Sequence, residues 1–316
     1  MTVIGEVRHP ADWRGDQMTR DRGWRLILTE AHRAELLAAV DTVATAGVPL
    51  GEVSPRVFPL PTLGPPLAGL AAEVTEGRGF ALVTGAPVTG LTEHRCEILA
   101  LGVASHVGTV VPQGPQRVPV LHVRDEGADP AHPTTRSYQH RQRLGFHADP
   151  TDVVALLCVR PARSGGLSTI VSSVAVHNEI VRTRPDLADL LYQPWWHDRR
   201  TGDGPESFHQ QPIYQRDDAG GLVASYGPDY IRSAQRGAHV PPLRPAQVEA
   251  MAVLDQLTND PRLTLTMDLR PGDMQFLNNR VVLHSRTAYE DHPDPALRRD
   301  LIRLWLSTGR AGRIAV

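Results

Sequence analysis

His147 and Asp149 stand two residues apart in the stretch Gly145-Phe146-His147-Ala148-Asp149. At the end of a strand, that spacing puts an imidazole and a carboxylate on the same side. They are two of the three side chains of a two-histidine, one-carboxylate facial site. That donor set suits non-haem Fe(II) and leaves coordination positions open for other ligands. The third ligand must then be a histidine brought back by the fold from elsewhere in the chain. Taken alone, His-x-Asp is a weak signal: the chain has 14 histidines, and some will stand near an aspartate by chance.

The pair gains meaning from three later stretches of the chain. One strand further on comes Gly165-Gly166-Leu167-Ser168-Thr169. Far downstream come Asn278-Asn279-Arg280-Val281-Val282-Leu283-His284 and then Arg298-Arg299-Asp300-Leu301-Ile302-Arg303. This ordered set, spread over residues 145–308, resembles the taurine/2,4-D dioxygenase branch of the Fe(II)/2-oxoglutarate-dependent oxygenases, which includes the clavaminate-synthase-like enzymes. That family reads His-x-Asp/Glu, Gly-Gly-x-Thr/Ser, Asp/Asn-Asn-Arg-x-x-x-His, and then arginines on the final core strand.

The resemblance implies that His147, Asp149 and His284 hold Fe(II), with 2-oxoglutarate as co-substrate and O2 as oxidant. It implies that Arg303 binds the far carboxylate of 2-oxoglutarate, helped by a hydroxyl from Ser168 or Thr169, and that Arg299 lies nearer the iron end. Ser168 keeps the family spacing; Thr169 falls on the other face of its strand. Arginine is the apt residue, because a buried carboxylate needs a permanent cation with directional donors. Arg299, Leu301 and Arg303 share one face of a strand, and Asp300, Ile302 and Leu304 share the other. The implied reaction couples oxidative decarboxylation of 2-oxoglutarate, to succinate and CO2, with hydroxylation of an unactivated C–H bond. Retention of Asp149 disfavours halogenation, because family halogenases carry a small residue there. Desaturation and ring closure use the same triad and stay open.

For the substrate, the resemblance implies a small molecule such as an amino acid, a carrier-bound amino acid or a secondary-metabolite intermediate. Oxidative catabolism of a sulfonate or aryloxy acid, and a non-catalytic metal-binding jelly roll, are the alternatives. In an extended chain Arg143, Gly145 and His147 point the same way, so Arg143 is a candidate for facing an anionic substrate group; a solvated arginine at a loop edge is the plainer reading. Trp195-Trp196 serves either as a pocket wall or as core, His177 as surface or core, and Arg280 as a structural arginine near a turn.

These residues need elements to position them. Thr29 caps an expected helix to Thr45, ended by Gly47 and Pro49. Further helices are expected over Leu67–Glu76, Leu91–Ala104, Val174–Leu191 (broken near Pro185) and Pro245–Leu257. Residues 1–26 read as irregular. Strands are expected over 79–85, 107–111, 118–123 (an edge, given Pro119), 152–159, 167–172, 263–269, 274–277, 281–284 and 301–307. Phe208–Tyr214 and Gly221–Tyr226 read as a hairpin. The long polar stretch Asp125–Gln142 is expected to be a lid over the site. The whole suggests a single domain of 1–316, mainly β with a helical cover: an N-terminal helical/β part (1–105) and a double-stranded β-helix, or jelly-roll, core (106–308).

Composition agrees. The chain has 316 residues, 41% hydrophobic and 22% charged, with a net charge of -2, so it lacks the basic excess of a nucleic-acid binder. Every one of its 33 basic Lys-or-Arg residues is arginine. Cys96 and Cys158 have no CxxC partner, which fits a reduced, cytoplasmic protein. No stretch reads as a signal peptide or membrane span.

Overall fold

The computed structural model describes residues 4–309 apart from 115, 130, 131, 133 and 203. Two β-sheets face each other. The larger, of seven strands, runs in the order Arg25–Ile27, Phe80–Thr84, Met274–Asn278, Val153–Arg160 and Asp300–Ser307, whose far edge is shared by Thr109–Val111 and Leu121–Val123. All its pairings are antiparallel except that of Arg25–Ile27 with Phe80–Thr84. The smaller has four antiparallel strands, Thr264–Met267, Ser168–Ser172, Val282–Arg286 and Leu144–His147. This is the expected double-stranded β-helix core with a helical cover.

Alternation along the strands decides what each face meets. On the last strand Ile302, Leu304 and Leu306 are buried with Leu36, Val40, Leu67, Ile98 and Leu99 of the N-terminal helices. Those helices are Glu30–Thr45, Gly64–Thr75 and Glu93–Ser105, and they cover the outer face of the larger sheet. Thr29 and Thr92 cap the first and third through their hydroxyls, in the first case as its sequence predicts. Leu301 and Arg303 face the other way, between the sheets, where they line a pocket. Burying the outer apolar row against helices leaves the inner row free for polar work.

The segment between Ser173 and Thr258 covers the smaller sheet. Helices Ser173–Thr183 and Pro245–Thr258 pack together, and the first lies against strands Ser168–Ser172 and Val282–Arg286. The expected hairpin is corrected here. Phe208–Pro212 pairs with Pro194–Asp198, and only Tyr214–Arg216 forms a hairpin with Leu222–Ala224. Two short helices, Gly15–Arg20 and Pro228–Ala234, are absent from the sequence expectations, being too short to show a hydrophobic period. Trp195 is fully buried core and donates to the Leu190 carbonyl. His177 is also core, bonded to Tyr192 and Asn178. Asp125–Gln142 contains one turn of 3-10 helix, Ser137–Gln139, and residues 130, 131 and 133 of the expected lid lie outside the described residues. Cys96 and Cys158 are buried and unbridged. Among the described residues no helix is long and apolar enough to cross a membrane.

Candidate active site

His147 ends the strand Leu144–His147, and His284 sits directly opposite it on Val282–Arg286. Asp149 comes next, in the turn into the larger sheet. The ligand atoms of the three lie within 4.8 Å of one another, and all three residues are at least nine-tenths buried. The two imidazole rings are 4.2 Å apart, centroid to centroid.

Each ligand is aimed by a protein contact. His147 Nδ1 lies 2.9 Å from the Gly145 carbonyl, which can only accept, so that nitrogen carries the proton and Nε2 presents a lone pair. Asp149 Oδ2 accepts from Trp305 Nε1 at 3.1 Å, and its backbone N–H donates to Asn279 Oδ1 at 3.0 Å. The Asn-Asn-Arg turn thus ties the Asp149 loop to the strand that carries His284. Its other members are structural: Asn278 Nδ2 donates to the Val74 carbonyl, and buried Arg280 pairs with Asp217.

Charge is set by burial and neighbours together. Burial works against ionising Asp149, but Arg303, the two histidines and Trp305 outweigh it and hold the carboxyl below its usual range. Burial, with His147 alongside, pushes His284 down to about 3, so its ring is neutral. Among the described residues its Nδ1 is buried with no hydrogen-bond partner. Two imidazoles and a carboxylate, with an orphaned buried nitrogen, fit a divalent metal. A second group, Glu93, His122 and Asp300, does not: Arg124 already pairs with both carboxylates, and Arg160 with Asp300.

The pocket beside the triad is lined by both arginines, but in the reverse of the expected order. Arg303 Nη1 lies 3.7 Å from Asp149 Oδ2, and Nε donates to Gln113 Oε1 at 2.9 Å. Arg303 therefore belongs to the metal end. Arg299, buried more deeply, donates to the Val123 carbonyl at 3.3 Å and stacks on Tyr289. Four residues of strand separate the two, about 13 Å of rise. The shared face was legible from parity; the direction was not, because parity carries no sense of which end the metal occupies.

Ser168 is buried and lines the pocket, its hydroxyl donating to Gln275 Oε1 at 2.9 Å. Thr169 points away, its hydroxyl 3.2 Å from that of Thr266 on the neighbouring strand, so it is excluded from the site. Arg143 is excluded too. It is exposed and bonds to Asn259. The strand register explains the failure: His284 pairs with His147, but Arg286 pairs with Leu144, so the pairing slips by one residue at a bulge. That slip undoes the alternation assumed between Arg143 and His147, and Leu144 lines the pocket instead.

Sequence reasoning missed Arg286, Tyr138, Tyr289, Gln113 and Trp305. Arg286 is 6% exposed, opposite Ser168 in the register. Burial, with Arg299 nearby, lowers its pKa to about 10. Among the described residues its Nε and Nη1 are buried without a partner. The signal was available: Arg286 lies two residues beyond His284, and Trp305 two beyond Arg303, each on the same strand face.

Fold and site together define a metal-dependent enzyme built on a double-stranded β-helix. The family described as "Taurine catabolism dioxygenase TauD, TfdA family" matches residues 46–305, and the chain belongs to it. It is thus an Fe(II)- and 2-oxoglutarate-dependent dioxygenase. FR-33289 synthase of Streptomyces rubellomurinus is 29% identical over 305 residues, spanning 93% of this chain and 88% of the relative. A taurine hydroxylase-like protein of Stachybotrys chartarum is 29% identical over 316 residues, spanning 96% of this chain and 80% of the relative. Among solved structures, an asparagine oxygenase in complex with Fe(II), 2S,3S-3-hydroxyasparagine and succinate superposes with a TM-score of 0.70 at 18% identity, covering 90% of this chain and 94% of that one.

Proposed function

We propose that this chain is a single catalytic unit that hydroxylates an unactivated C–H bond of a small molecule, an amino acid or a secondary-metabolite intermediate. His147, Asp149 and His284 hold the iron. Bound Fe(II), with 2-oxoglutarate and O2, supplies the C–H oxidising chemistry, and 2-oxoglutarate leaves as succinate and CO2. The carrying observation is the buried His147-Asp149-His284 cluster with the unpartnered His284 Nδ1. The amino-acid reading draws support from the asparagine oxygenase, whose product complex contains hydroxyasparagine.

Arg299, at the deep end, binds the far carboxylate of 2-oxoglutarate; Ser168 lies beside that end and orients through Gln275. Arg303 neutralises charge at the metal end, beside Asp149. An anionic substrate, such as a sulfonate, is the second reading, and it rests on that Arg303 guanidinium now that Arg143 lies outside the pocket. Trp305 and Asn279 fix the carboxylate; Gly145 fixes the His147 tautomer.

Anaerobic titration with Fe(II) and 2-oxoglutarate, followed by visible absorption, tests the assignment. The wild type should show a metal-to-ligand charge-transfer band. Asp149→Ala should lose it, and Arg299→Ala should need roughly 10- to 100-fold more 2-oxoglutarate to reach it, the cost of a lost charged hydrogen bond. Absence of the band in metal-loaded wild type would overturn the reading. Amino acids and sulfonates that perturb the band then identify the substrate class.

A further inference from the structure

We infer that Arg286 transmits occupancy of the 2-oxoglutarate site to residues 138–143, the segment that runs into the metal-binding strand. This rests on the proposal that the pocket takes 2-oxoglutarate, and it adds to that proposal a route by which the co-substrate organises the metal end.

The guanidinium of Arg286 is only partly used. Nη2 donates to the carbonyls of His140 and Gln142, at 2.7 and 2.5 Å. Nε and Nη1 are buried with no partner among the described residues. Arg286 lines the same pocket as Ser168 and Arg299, on the strand face that carries His284. It lies two residues, about 7 Å of strand rise, from that ligand. A five-carbon diacid held at the metal by its 2-oxo acid end extends its other carboxylate over a comparable distance.

The electrostatics call for an anion. Arg286 and Arg299 both stack on the Tyr289 ring, 4.8 and 5.0 Å from its centroid, and among the described residues neither has a carboxylate within ion-pair distance. Two like charges buried together are costly unless a negative group is shared between them. A carboxylate accepting from Nε or from Nη1 of Arg286 removes the repulsion and satisfies one of the two free donors. A planar guanidinium held at one nitrogen is oriented at the others. Nη2 is then held where it meets the two carbonyls.

Those carbonyls belong to a segment that reaches the iron site from both ends. Gln142 leads into Leu144–His147. Tyr138 stacks on Arg303, 5.3 Å from its guanidinium carbon, and Arg303 abuts Asp149. Filling the deep end of the pocket therefore steadies groups at the shallow end. Arg286 acts here as a positioning residue.

Hydrogen exchange of the backbone amides of residues 138–143, on anaerobic Fe(II)-loaded protein, tests this without relying on turnover. We expect saturating 2-oxoglutarate to slow exchange there by at least about tenfold. Saturating 2-oxopentanoate, which keeps the 2-oxo acid end and lacks the far carboxylate, should leave exchange unchanged. In Arg286→Met, 2-oxoglutarate should bind roughly 10- to 100-fold more weakly and give no protection even at saturation. Equal protection by both 2-oxo acids, or wild-type protection in Arg286→Met, overturns the inference while the charge-transfer band leaves the co-substrate site standing. The comparison of the two acids uses unaltered protein, so it holds even if the variant fails to fold. Absence of the band would overturn both together.

Discussion

Gly165 and Gly166 show how a residue without a side chain can set the position of one with a charge. Both take positive φ, +73° and +68°, in the segment after Arg160, where Ser164–Gly165 pairs with Tyr289–Glu290. A Cβ on Gly165 would come 2.2 Å from the Ala288 carbonyl oxygen; one on Gly166 would come 3.3 Å from Arg299 Nε. The Gly-Gly pair therefore makes two things possible, close passage of the 288–289 backbone and room for the deep arginine. Gly166→Ala should lower stability by about 1–2 kcal/mol, the cost of a left-handed alanine, measured by urea denaturation. It should also raise the KM for 2-oxoglutarate severalfold, with a smaller change in kcat. An unchanged KM would show that Arg299 has slack to retreat. At this scale the sequence was most legible where chemistry restricts residue type: the two histidines and the aspartate lie in one buried cluster, and the serine lines the pocket beside it. It was least legible where a residue's role depends on direction along a strand, as with Arg299 and Arg303.

Strands and turns carry the next level of explanation. Six strands of the seven-stranded sheet were readable because they are apolar on a face that helices cover, and the helices announced themselves by caps and period; Arg25–Ile27, three residues at the end of a stretch read as irregular, was not. Pairing partners were harder to read. Phe208–Pro212 is contiguous with Tyr214–Arg216, yet the two pair with different strands. Nothing local distinguishes one long hairpin arm from two short ones split at Ile213. The bulge between His284 and Arg286 is likewise a property of two strands, and one strand's sequence does not contain it. That bulge yields a prediction. Arg143→Ala should leave KM for both substrate and 2-oxoglutarate within about twofold of wild type, since an exposed side chain away from the site contributes little. A large rise in substrate KM would mean that the strand pairs in the unslipped register in solution.

The molecule as a whole carries a pH dependence outside the active site. Asp300, buried on the outer side of the last strand, accepts from His122 Nδ1 at 2.8 Å, from Arg124 Nε at 2.9 Å and from Arg160 Nη2 at 3.3 Å. Burial opposes a charge on His122, and Arg124 Nη2, 3.0 Å from the same nitrogen, adds to the opposition. The bonds to Asp300 and Glu97 outweigh both and raise the ring to about 9. A folded-state pKa above the unfolded value of about 6.5 means that this contribution is complete below that pH and is lost as pH rises through about 9. The melting temperature should therefore fall between pH 7 and about pH 9.5, and His122→Gln should flatten that slope. A slope unchanged by the substitution would place the titration elsewhere. The network ties Leu121–Val123, the strand before the 125–142 stretch, to the Arg303 strand, so alkaline loosening should reach the catalytic end of the sheet.

The Asn279 side chain bound to the Asp149 backbone, with the Gly145 carbonyl on His147 and Trp305 on Asp149, bears on which metal the protein ends up holding. A site whose donors are aligned by the polypeptide itself offers the same three atoms to any divalent ion. Its intrinsic preference is then the general order of ligand affinity, in which ferrous iron ranks below cobalt, nickel, copper and zinc. Identity of the ion is thereby handed to supply: protein recovered from zinc-rich medium would be well folded, saturated with metal and silent as an oxygenase.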